Sequence, residues 1–386
     1  MNQIDRARYA VVATFILNGI TAGSFVARVP DIKHHFDLTA GQLGLLLFCV
    51  SLGVLGILTV AGRIIAKYGS KPIAQLSTIA LALSLVVAGW LPSIVITGIA
   101  FLILGSMLAL QDVAMNTHGI TVEHQSGKRY MSFFHANFSI GSFLGGVIGG
   151  YFSQAEISLL VQGSVLATIF IVIAIFLGSW WLPANLDQHP YEEKKKTKRP
   201  RIIWLLGGLG FLAAIGEGAA GDWGGVLARD AFDATPFLST VPYICFTVAM
   251  IAGRFTGDKL AEKYGPANLI LVCGLIAGVG LSTGIIVGGI GGVIFGWLAL
   301  GAGVSIVIPM LFSAGGEIAK RDFAGKLAPS DGVAMVGGIA YFGFMVGPPA
   351  MGALAELMTL RWALLVPALG CIVMALSARP LINSHK

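Results

Sequence analysis

Charged side chains are scarce in this sequence, since Asp, Glu, Lys and Arg make up 11% of its 386 residues. A soluble domain has about a quarter of its residues charged. Hydrophobic residues instead reach 56%, and the mean hydropathy is +0.83. The low charge excludes an ordinary soluble domain and indicates that lipid surrounds most of the chain.

Cysteine is also rare, and its placement indicates no metal site. Cys49, Cys245, Cys273 and Cys371 all fall inside apolar runs, without the short spacings of metal ligands. We expect four buried thiols and no cofactor.

Sequence motifs of enzymes are absent as well. No glycine-rich phosphate loop followed by Lys and Ser or Thr is present, so ATP-driven transport is not supported. No nucleophile elbow or paired-metal spacing occurs either. No small-residue cleavage site interrupts the first apolar stretch, which we interpret as a membrane helix and not a signal peptide. The sequence therefore predicts a membrane protein that is not an enzyme.

One long polar block interrupts the apolar sequence, at residues 183–201. It holds six of the twenty-five Lys and Arg residues and almost no apolar side chain. Such a block cannot enter hydrocarbon, so we interpret it as a solvated linker. It divides the chain into an N-terminal bundle at 1–182 and a C-terminal bundle at 202–386.

About 20 apolar residues are needed to cross the hydrocarbon as a helix. By that rule the sequence predicts twelve spans, six on each side of the block. They lie at 9–27, 41–60, 72–91, 94–117, 130–152, 157–182, 202–227, 237–256, 267–288, 291–313, 331–355 and 360–379.

The basic residues predict the orientation of these spans. With a cytoplasmic N-terminus, twenty-one Lys and Arg residues lie inside, and only Arg28, Lys33, Arg229 and Arg361 lie outside. This asymmetry follows the positive-inside rule. It also explains the net charge of +6 without nucleic acid. We expect a multi-pass protein of the cytoplasmic (inner) membrane with both termini in the cytoplasm.

Two short patterns occur once in each half. Ala61-Gly62-Arg63 with Lys67-Tyr68-Gly69 recurs as Ala252-Gly253-Arg254 with Lys263-Tyr264-Gly265, and Gly141-x3-Gly145-x4-Gly150 recurs as Gly343-x3-Gly347-x4-Gly352. Repeats at matching places predict two six-helix bundles related by a pseudo-twofold axis. The glycine patterns favour close helix packing and rocking.

Over nearly its whole length the chain resembles the major facilitator superfamily. That family carries a Gly-x-x-x-Asp-Arg/Lys-x-Gly loop after its second helix, here Gly62 to Gly69 with Ala66 in place of the acid. In the second copy Glu262, or the offset Asp258, could supply the acid. The resemblance implies gating loops that contain Gly62, Lys67, Gly69, Asp258, Glu262 and Gly265.

Three stretches are similar to the fucose and glucose/galactose permease branch of that family. They are Pro30 to Leu45, Asp112-x3-Asn116 and Pro309 to Ser313. The sugar symporters of this branch carry an acid late in the first helix, where this chain has Phe25-Val-Ala-Arg28. The resemblance implies symport of a sugar-like solute.

Three acids fall inside predicted spans: Asp112, Glu217 and Asp222. A charge in hydrocarbon is costly, so such residues usually line a water-filled path. Asp112 and Asn116 are four residues apart and share one helix face, so Asn116 could hold the carboxylate or a substrate hydroxyl. We expect Asp112 to exchange protons first and Glu217 second, whereas Asp222 could exchange protons or be a solvated residue at the outer mouth.

Histidine and amide side chains supply further candidates. His135 could take part in proton coupling or be an interfacial histidine, and Asn137, which lies near it, could bind substrate. Asn18 and Thr21 could bind a polar ligand or pack between helices. Arg28, near the outer boundary, is expected to snorkel.

Aromatic rings complete the candidate site, because ring faces stack on a pyranose or on a flat drug. The candidates for binding substrate are Phe138, Trp223, Tyr243, Tyr341 and Phe342.

The sequence thus predicts an all-α membrane protein with twelve transmembrane helices. The expected function is proton-coupled symport of a small polar, sugar-like solute by alternating access. The alternative is proton-coupled efflux of amphipathic compounds, and a rival of another class is a receptor or scaffold without transport. Expected partners are a small-molecule substrate, protons and the lipid bilayer, with no nucleic acid and a monomeric chain.

Overall fold

The computed structural model describes residues 2–188, 200–323 and 329–383. These residues form helices, short turns and no strand. The chain divides into two compact units. Unit 1 contains Met1–Asp37 and Leu46–Glu193, and unit 2 contains Leu38–Leu45 and Lys194–Lys386. Most of the polar block (189–199) lies outside the described residues, and the domain boundaries at 182 and 202 stay a prediction.

Unit 1 is built mainly from six helices. They are α1 (Gln3–His35), α2 (Ala40–Tyr68), α3 (Ser70–Trp90), α4 (Ile94–Ser126), α5 (Met131–Gln154) and α6 (Leu159–Phe176).

Among its described residues, unit 2 contains eight further α-helices. They are α7 (Arg201–Phe232), α8 (Val241–Tyr264), α9 (Pro266–Val287), α10 (Gly289–Val304), α11 (Val307–Asp322), α12 (Pro329–Met358), α13 (Leu360–Ala363) and α14 (Leu365–Asn383).

Twelve candidate membrane spans occur among the described residues, which confirms the predicted number and the all-α fold class. Several helices run past the predicted spans. The first helix continues to His35, and α4 continues to Ser126, where Gly127 with φ +68° closes the helix. Hydropathy marks where a helix leaves an apolar environment, whereas the helix itself ends where its backbone hydrogen bonds end.

Two spans of unit 2 are interrupted by proline. The tenth span, Gly289–Asp322, breaks between α10 and α11 at Ser305, and the twelfth breaks between α13 and α14 at Leu364. Pro309 follows the first break and Pro367 the second. A proline ring clashes with the carbonyl four residues earlier and has no N–H to donate. Those carbonyls belong to Ser305 and Ala363, which places both breaks where they are observed.

Close packing of α1 on α5 depends on glycine. A Cβ atom built on Gly141 would lie 2.3 Å from the Ile16 carbonyl oxygen, and one on Gly145 would lie 2.4 Å from that of Ile20. Any side chain would therefore push the helices apart. This confirms close packing as a role of the glycine pattern in α5.

The repeated Tyr-Gly pair forms the same turn in both units. Gly69 joins α2 to α3 with φ +81° and ψ 159°, and Gly265 joins α8 to α9 with φ +79° and ψ 146°. Only glycine adopts this region readily. The sequence repeat therefore reflects one backbone geometry that is used twice.

Candidate functional site

Asp112 lies in α4, within a candidate span, and its side chain is exposed. Asn116 donates from Nδ2 to the Asp112 carboxylate (Oδ1) at 3.1 Å and to its backbone carbonyl at 2.8 Å. Among the described residues Asp112 has no basic partner. The contact with Asn116 confirms that the two share one helix face.

Glu217 lies in α7 and faces a basic residue of α8. Arg254 Nη2 is 4.0 Å from Glu217 Oε1, and the two side chains are 36% and 23% exposed. Arg254 belongs to the repeated Ala-Gly-Arg pattern, which the sequence places beside a loop. Here it lies inside α8, within the candidate span Leu238–Gly257.

Asp222 and Trp223 are adjacent in α7 but have different surroundings. Asp222 is half-buried and makes no hydrogen bond or ion pair within the described chain. Trp223 is completely buried in the core of unit 2, and its indole Nε1 finds no acceptor among the described residues. A ring buried in this way contacts protein on all sides.

The candidates of α5 also divide between surface and core. His135 is exposed, and its ring lies edge-on to Phe15 with centroids 5.2 Å apart. Asn137 is buried and donates to the Phe133 carbonyl at 2.8 Å. Phe138 packs against the hydrophobic core of unit 1.

Asn18 joins three helices of unit 1 through a buried polar chain. Its Nδ2 donates to Gln111 Oε1 at 2.8 Å and to the Leu108 carbonyl at 3.1 Å. Gln111 in turn donates to Thr78 Oγ1 at 2.8 Å, which connects α1, α4 and α3. Of the two expectations for Asn18, this contact set supports interhelical packing.

Thr21 also turns inward. It is buried, and its hydroxyl donates to the Leu17 carbonyl of its own helix at 3.0 Å. This bond occupies the hydroxyl hydrogen. Of the two predicted roles of Thr21, it supports packing and not the binding of a polar ligand.

Three aromatic candidates of unit 2 keep accessible rings. Tyr341 is 54% exposed and Phe342 is 49% exposed, both on α12. Phe342 stacks on Phe211 with centroids 6.2 Å apart, and half-buried Tyr243 stacks on Phe246 at 6.5 Å. These rings retain faces that a flat solute could cover.

Most of the residues that were predicted to lie in gating loops belong to helices, so the predicted loop positions are wrong for them. Gly62 and Lys67 belong to α2, and Asp258 and Glu262 belong to α8. Gly69 and Gly265 alone form the turns. Lys67 and Glu262 are exposed, Lys67 Nζ lies 5.0 Å from the centroid of the Tyr68 ring, and the side chain of Asp258 is outside the described set.

Arg28 does not snorkel, which corrects the prediction made for it. Its guanidinium is buried, forms an ion pair through Nε with Asp31, and donates to Gln162 Oε1 and to the Ile157 carbonyl, both at 2.8 Å. Ser153 donates to Asp31 at 2.9 Å. Arg28 and Gln162 also line a partly open pocket in unit 1. An arginine with this ion pair and two hydrogen bonds stays in place, because these partners compensate for much of the cost of removing its charge from water.

A second buried polar cluster, centred on His118, was not predicted from the sequence. The Leu182 N–H donates to Nε2 of His118 at 3.2 Å, so this nitrogen is the acceptor and Nδ1 carries the proton. Nδ1 lies 2.7 Å from Ser70 Oγ, which donates to Asp187. Asp187 also accepts from the Ser70 backbone N–H at 3.0 Å, at the first residue of α3.

A signal for this cluster exists in the sequence of α4. Gln111 and His118 are seven residues apart, which places them on one face of α4 two turns apart. Asp187 carries no comparable signal, because its partners are distant in the sequence. Among the described residues, no group of three or more His, Cys, Asp or Glu side chains could hold a metal ion.

Comparison with known proteins agrees with this architecture. The family model described as "Major Facilitator Superfamily" matches residues 11–328. An uncharacterized MFS-type transporter of Yersinia pestis is 28% identical over 365 residues, which cover 95% of this chain and 93% of the relative.

Solved structures show the same fold at low identity. The nucleoside transporter NupG aligns with a TM-score of 0.76 and 13% identity, over 99% of each chain. The transporter FucP in its outward conformation aligns with a TM-score of 0.65 and 17% identity, over the whole of both chains. With a family model that matches most of its length and twelve candidate spans in two units, this chain belongs to the major facilitator superfamily and is a multi-pass secondary transporter of a small solute.

Proposed function

We propose that this protein imports a small polar, sugar-like solute together with protons. Transport proceeds by alternating access, with Asp112 as the first proton carrier and Glu217 as the second. The proposal goes beyond the family in its direction, its coupling ion and its substrate class.

The observation that carries the proposal is the position of the Asp112 carboxylate. It lies within a candidate span, is exposed, and has Asn116 as its hydrogen-bond partner and no cation beside it among the described residues. An uncompensated carboxylate in such a place favours its protonated form whenever water leaves it. A group that gains and loses a proton with hydration is suited to coupling.

The substrate class is supported by the chemistry of candidate residues in each unit. Asn116 offers an amide that hydrogen-bonds to hydroxyl groups, and Tyr341 and Phe342 offer accessible ring faces. Hydroxyl-rich solutes with one apolar face, such as pyranoses, use both kinds of contact.

Asp112→Asn tests the coupling. Purified protein in proteoliposomes is expected to lose uptake driven by a proton gradient while it keeps exchange of solute across the membrane, because exchange needs no net change in protonation. Asp112→Glu keeps a carboxyl group and is expected to retain part of the driven uptake. Glu317→Gln removes an exposed acid of α11 and serves as the control for general charge effects. Uphill uptake by the Asn variant would show that Asp112 is not the coupling site.

The direction of coupling is measured in the same vesicles. Under symport, a solute added outside carries protons inward and the external medium becomes more alkaline. Acidification would instead indicate antiport and favour the efflux of amphipathic compounds. No solute-driven flux at all would favour a receptor or scaffold.

We further propose that the protein acts as a monomer in the cytoplasmic membrane with both termini in the cytoplasm. The distribution of Lys and Arg supports this orientation. Reporter fusions that are active only in the cytoplasm are expected to be active at both ends, and light scattering in detergent is expected to give the mass of one 40.3 kDa chain.

A further inference from the structure

The side-chain amide of Asn116 is held in one orientation. Its nitrogen lies 2.8 Å from the backbone carbonyl oxygen of Asp112 and 3.1 Å from the carboxylate oxygen Oδ1 of the same residue. Both of these oxygens accept hydrogen bonds, so an amide oxygen in the same place would face two acceptors. The backbone carbonyl accepts in every protonation state of Asp112, and it therefore fixes the amide whether or not the carboxyl group carries a proton.

This orientation leaves two oxygens of the pair for a ligand. Both hydrogens of the Asn116 amide are used, whereas its Oδ1 atom and the second carboxylate oxygen of Asp112, Oδ2, have no partner among the described residues. Asp112 is exposed and Asn116 is half-buried, and both lie on one face of α4. With an ionised carboxylate, the pair offers a ligand two acceptors and no donor.

Basic side chains on the neighbouring helices have other contacts. Arg28 of α1 forms its ion pair with Asp31, and His135 of α5 packs on Phe15. Within the part of the chain that the structure describes, no basic side chain of α1, α2, α3 or α5 pairs with Asp112. Water, a proton or the solute is therefore left to balance the carboxylate.

A proton that binds Asp112 goes to Oδ2, because Oδ1 already faces an N–H of Asn116. Before protonation, Oδ2 accepts a hydrogen bond from a ligand. After one proton from water has bound there, the new O–H group donates to the ligand instead. Asn116 Oδ1 accepts in both states, so the site alternates between two acceptors and one acceptor beside one donor.

Hydroxyl groups fit both states of this site, whereas an ammonium group fits only one. A hydroxyl group donates and accepts, so it can turn its hydrogen away when Oδ2 becomes a donor. An ammonium group only donates, and a protonated Asp112 no longer offers it an acceptor or a charge at Oδ2. A solute that enters together with a proton on Asp112 therefore has to meet this residue through a hydroxyl group.

We propose that Asp112 Oδ2 and Asn116 Oδ1 bind two neighbouring hydroxyl groups of the solute, with the Asn116 amide held in place by Asp112. The inference rests on the proposed function, because it names how the same site recognises the solute that is carried with protons. It adds that the solute presents a diol at this position, and that amines and carboxylates do not bind in its place.

Sugars that differ at one carbon test this recognition by thermal stabilisation of the purified protein. The probes are galactose and its 2-deoxy, 3-deoxy and 4-deoxy derivatives, because every pair of neighbouring hydroxyl groups in galactose includes one of these positions. We expect galactose to raise the melting temperature. At least one deoxysugar is expected to bind about tenfold more weakly, since it leaves an acceptor of the site unpaired.

Three variants connect this preference to the pair. Asn116→Leu keeps the size of the side chain without its oxygen, and is expected to bind galactose about tenfold more weakly and to stop distinguishing at least one of these deoxysugars. Asp112→Asn presents an N–H donor in place of the protonated Oδ2, so its affinity for galactose is expected to stay within about tenfold of the wild type. Thr117→Val removes a neighbouring hydroxyl group that donates to the Val113 carbonyl, and is the control with unchanged binding.

The proposal is overturned if none of the sugars stabilises the protein, if all three deoxysugars bind like galactose, or if Asn116→Leu binds galactose like the wild type. Stabilisation by ethanolamine that disappears in Asp112→Asn would also overturn it and would indicate an amine site. Proton-driven uptake of galactose that Asn116→Leu retains in full would overturn this inference and leave the proposed function intact. Recognition of the hydroxyl groups by the pair without any proton movement would support the inference and contradict the proposed function.

Discussion

The two units use the same turn but stabilise it by different chemistry. After Gly69, the first N–H of α3 is bonded to Asp187, which also accepts from the Ser70 hydroxyl. After Gly265, α9 begins with Pro266, which has no N–H to satisfy. The repeated sequence therefore gives the same backbone turn in both units. The helix that follows begins with an N–H bonded to a side chain in unit 1 and with a proline, which has no N–H, in unit 2.

The ion pairs of the two units also differ, in their burial and in the number of their contacts. Arg28 of unit 1 is buried and has several partners, whereas the Arg254–Glu217 pair of unit 2 is partly exposed, with its nitrogen and oxygen 4.0 Å apart. The buried ion pair and the hydrogen bonds of Arg28 connect α1 to residues near and within α6, so the comparison assigns a structural role to Arg28.

The largest expected effect is the loss of the buried pair. Arg28→Met leaves Asp31 without its cation and is expected to lower the free energy of unfolding by about 3–5 kcal/mol. Arg254→Met removes a half-exposed partner and should cost about 1 kcal/mol or less. Unfolding in mixed detergent, followed by circular dichroism, measures both. Equal losses would remove the distinction between the two arginines.

A smaller difference in the free energy of unfolding is expected between alanine variants of the two turns. Alanine at either glycine has to adopt a positive φ, which costs about 1–3 kcal/mol. At Gly69 the new Cβ would also lie 2.5 Å from the Ala184 carbonyl oxygen, whereas nothing lies within 4 Å at Gly265. Gly69→Ala should therefore be less stable than Gly265→Ala by about another 1–3 kcal/mol. The same unfolding assay applies, and a more harmful Gly265→Ala would contradict the geometry of the first turn.

The smallest effect concerns the start of α3. Asp187→Ala leaves the Ser70 and Thr121 donors without their acceptor and should cost about 2 kcal/mol. Asp187→Asn keeps one acceptor oxygen and should recover part of the loss. Pro266→Ala in unit 2 should cost less than about 1 kcal/mol. Protection of the first turn of α3 from hydrogen exchange should fall in the Asp187→Ala variant alone.

Side-chain contacts could be predicted from the sequence where the two residues lie close along one helix. Asp112 and Asn116 contact each other because four residues make about one turn. The partner of Glu217 is not predicted, since Arg254 is on another helix and its sequence pattern resembles a loop. Asn18 and Thr21 have the residue types of a polar site, but their hydrogen bonds lie inside unit 1.

The sequence by itself determined the all-helical class, the number of spans and the two equivalent glycine turns. These follow from local physics, because bilayer thickness sets span length and backbone sterics reserve positive φ for glycine. Only the tertiary structure decided which polar side chains pair, as for Arg28 with Asp31 and Gln162, His118 with Ser70, and Arg254 with Glu217. Apart from Arg28 and Asp31, these partners are far apart in the chain, and packing of the helices alone brings their side chains together.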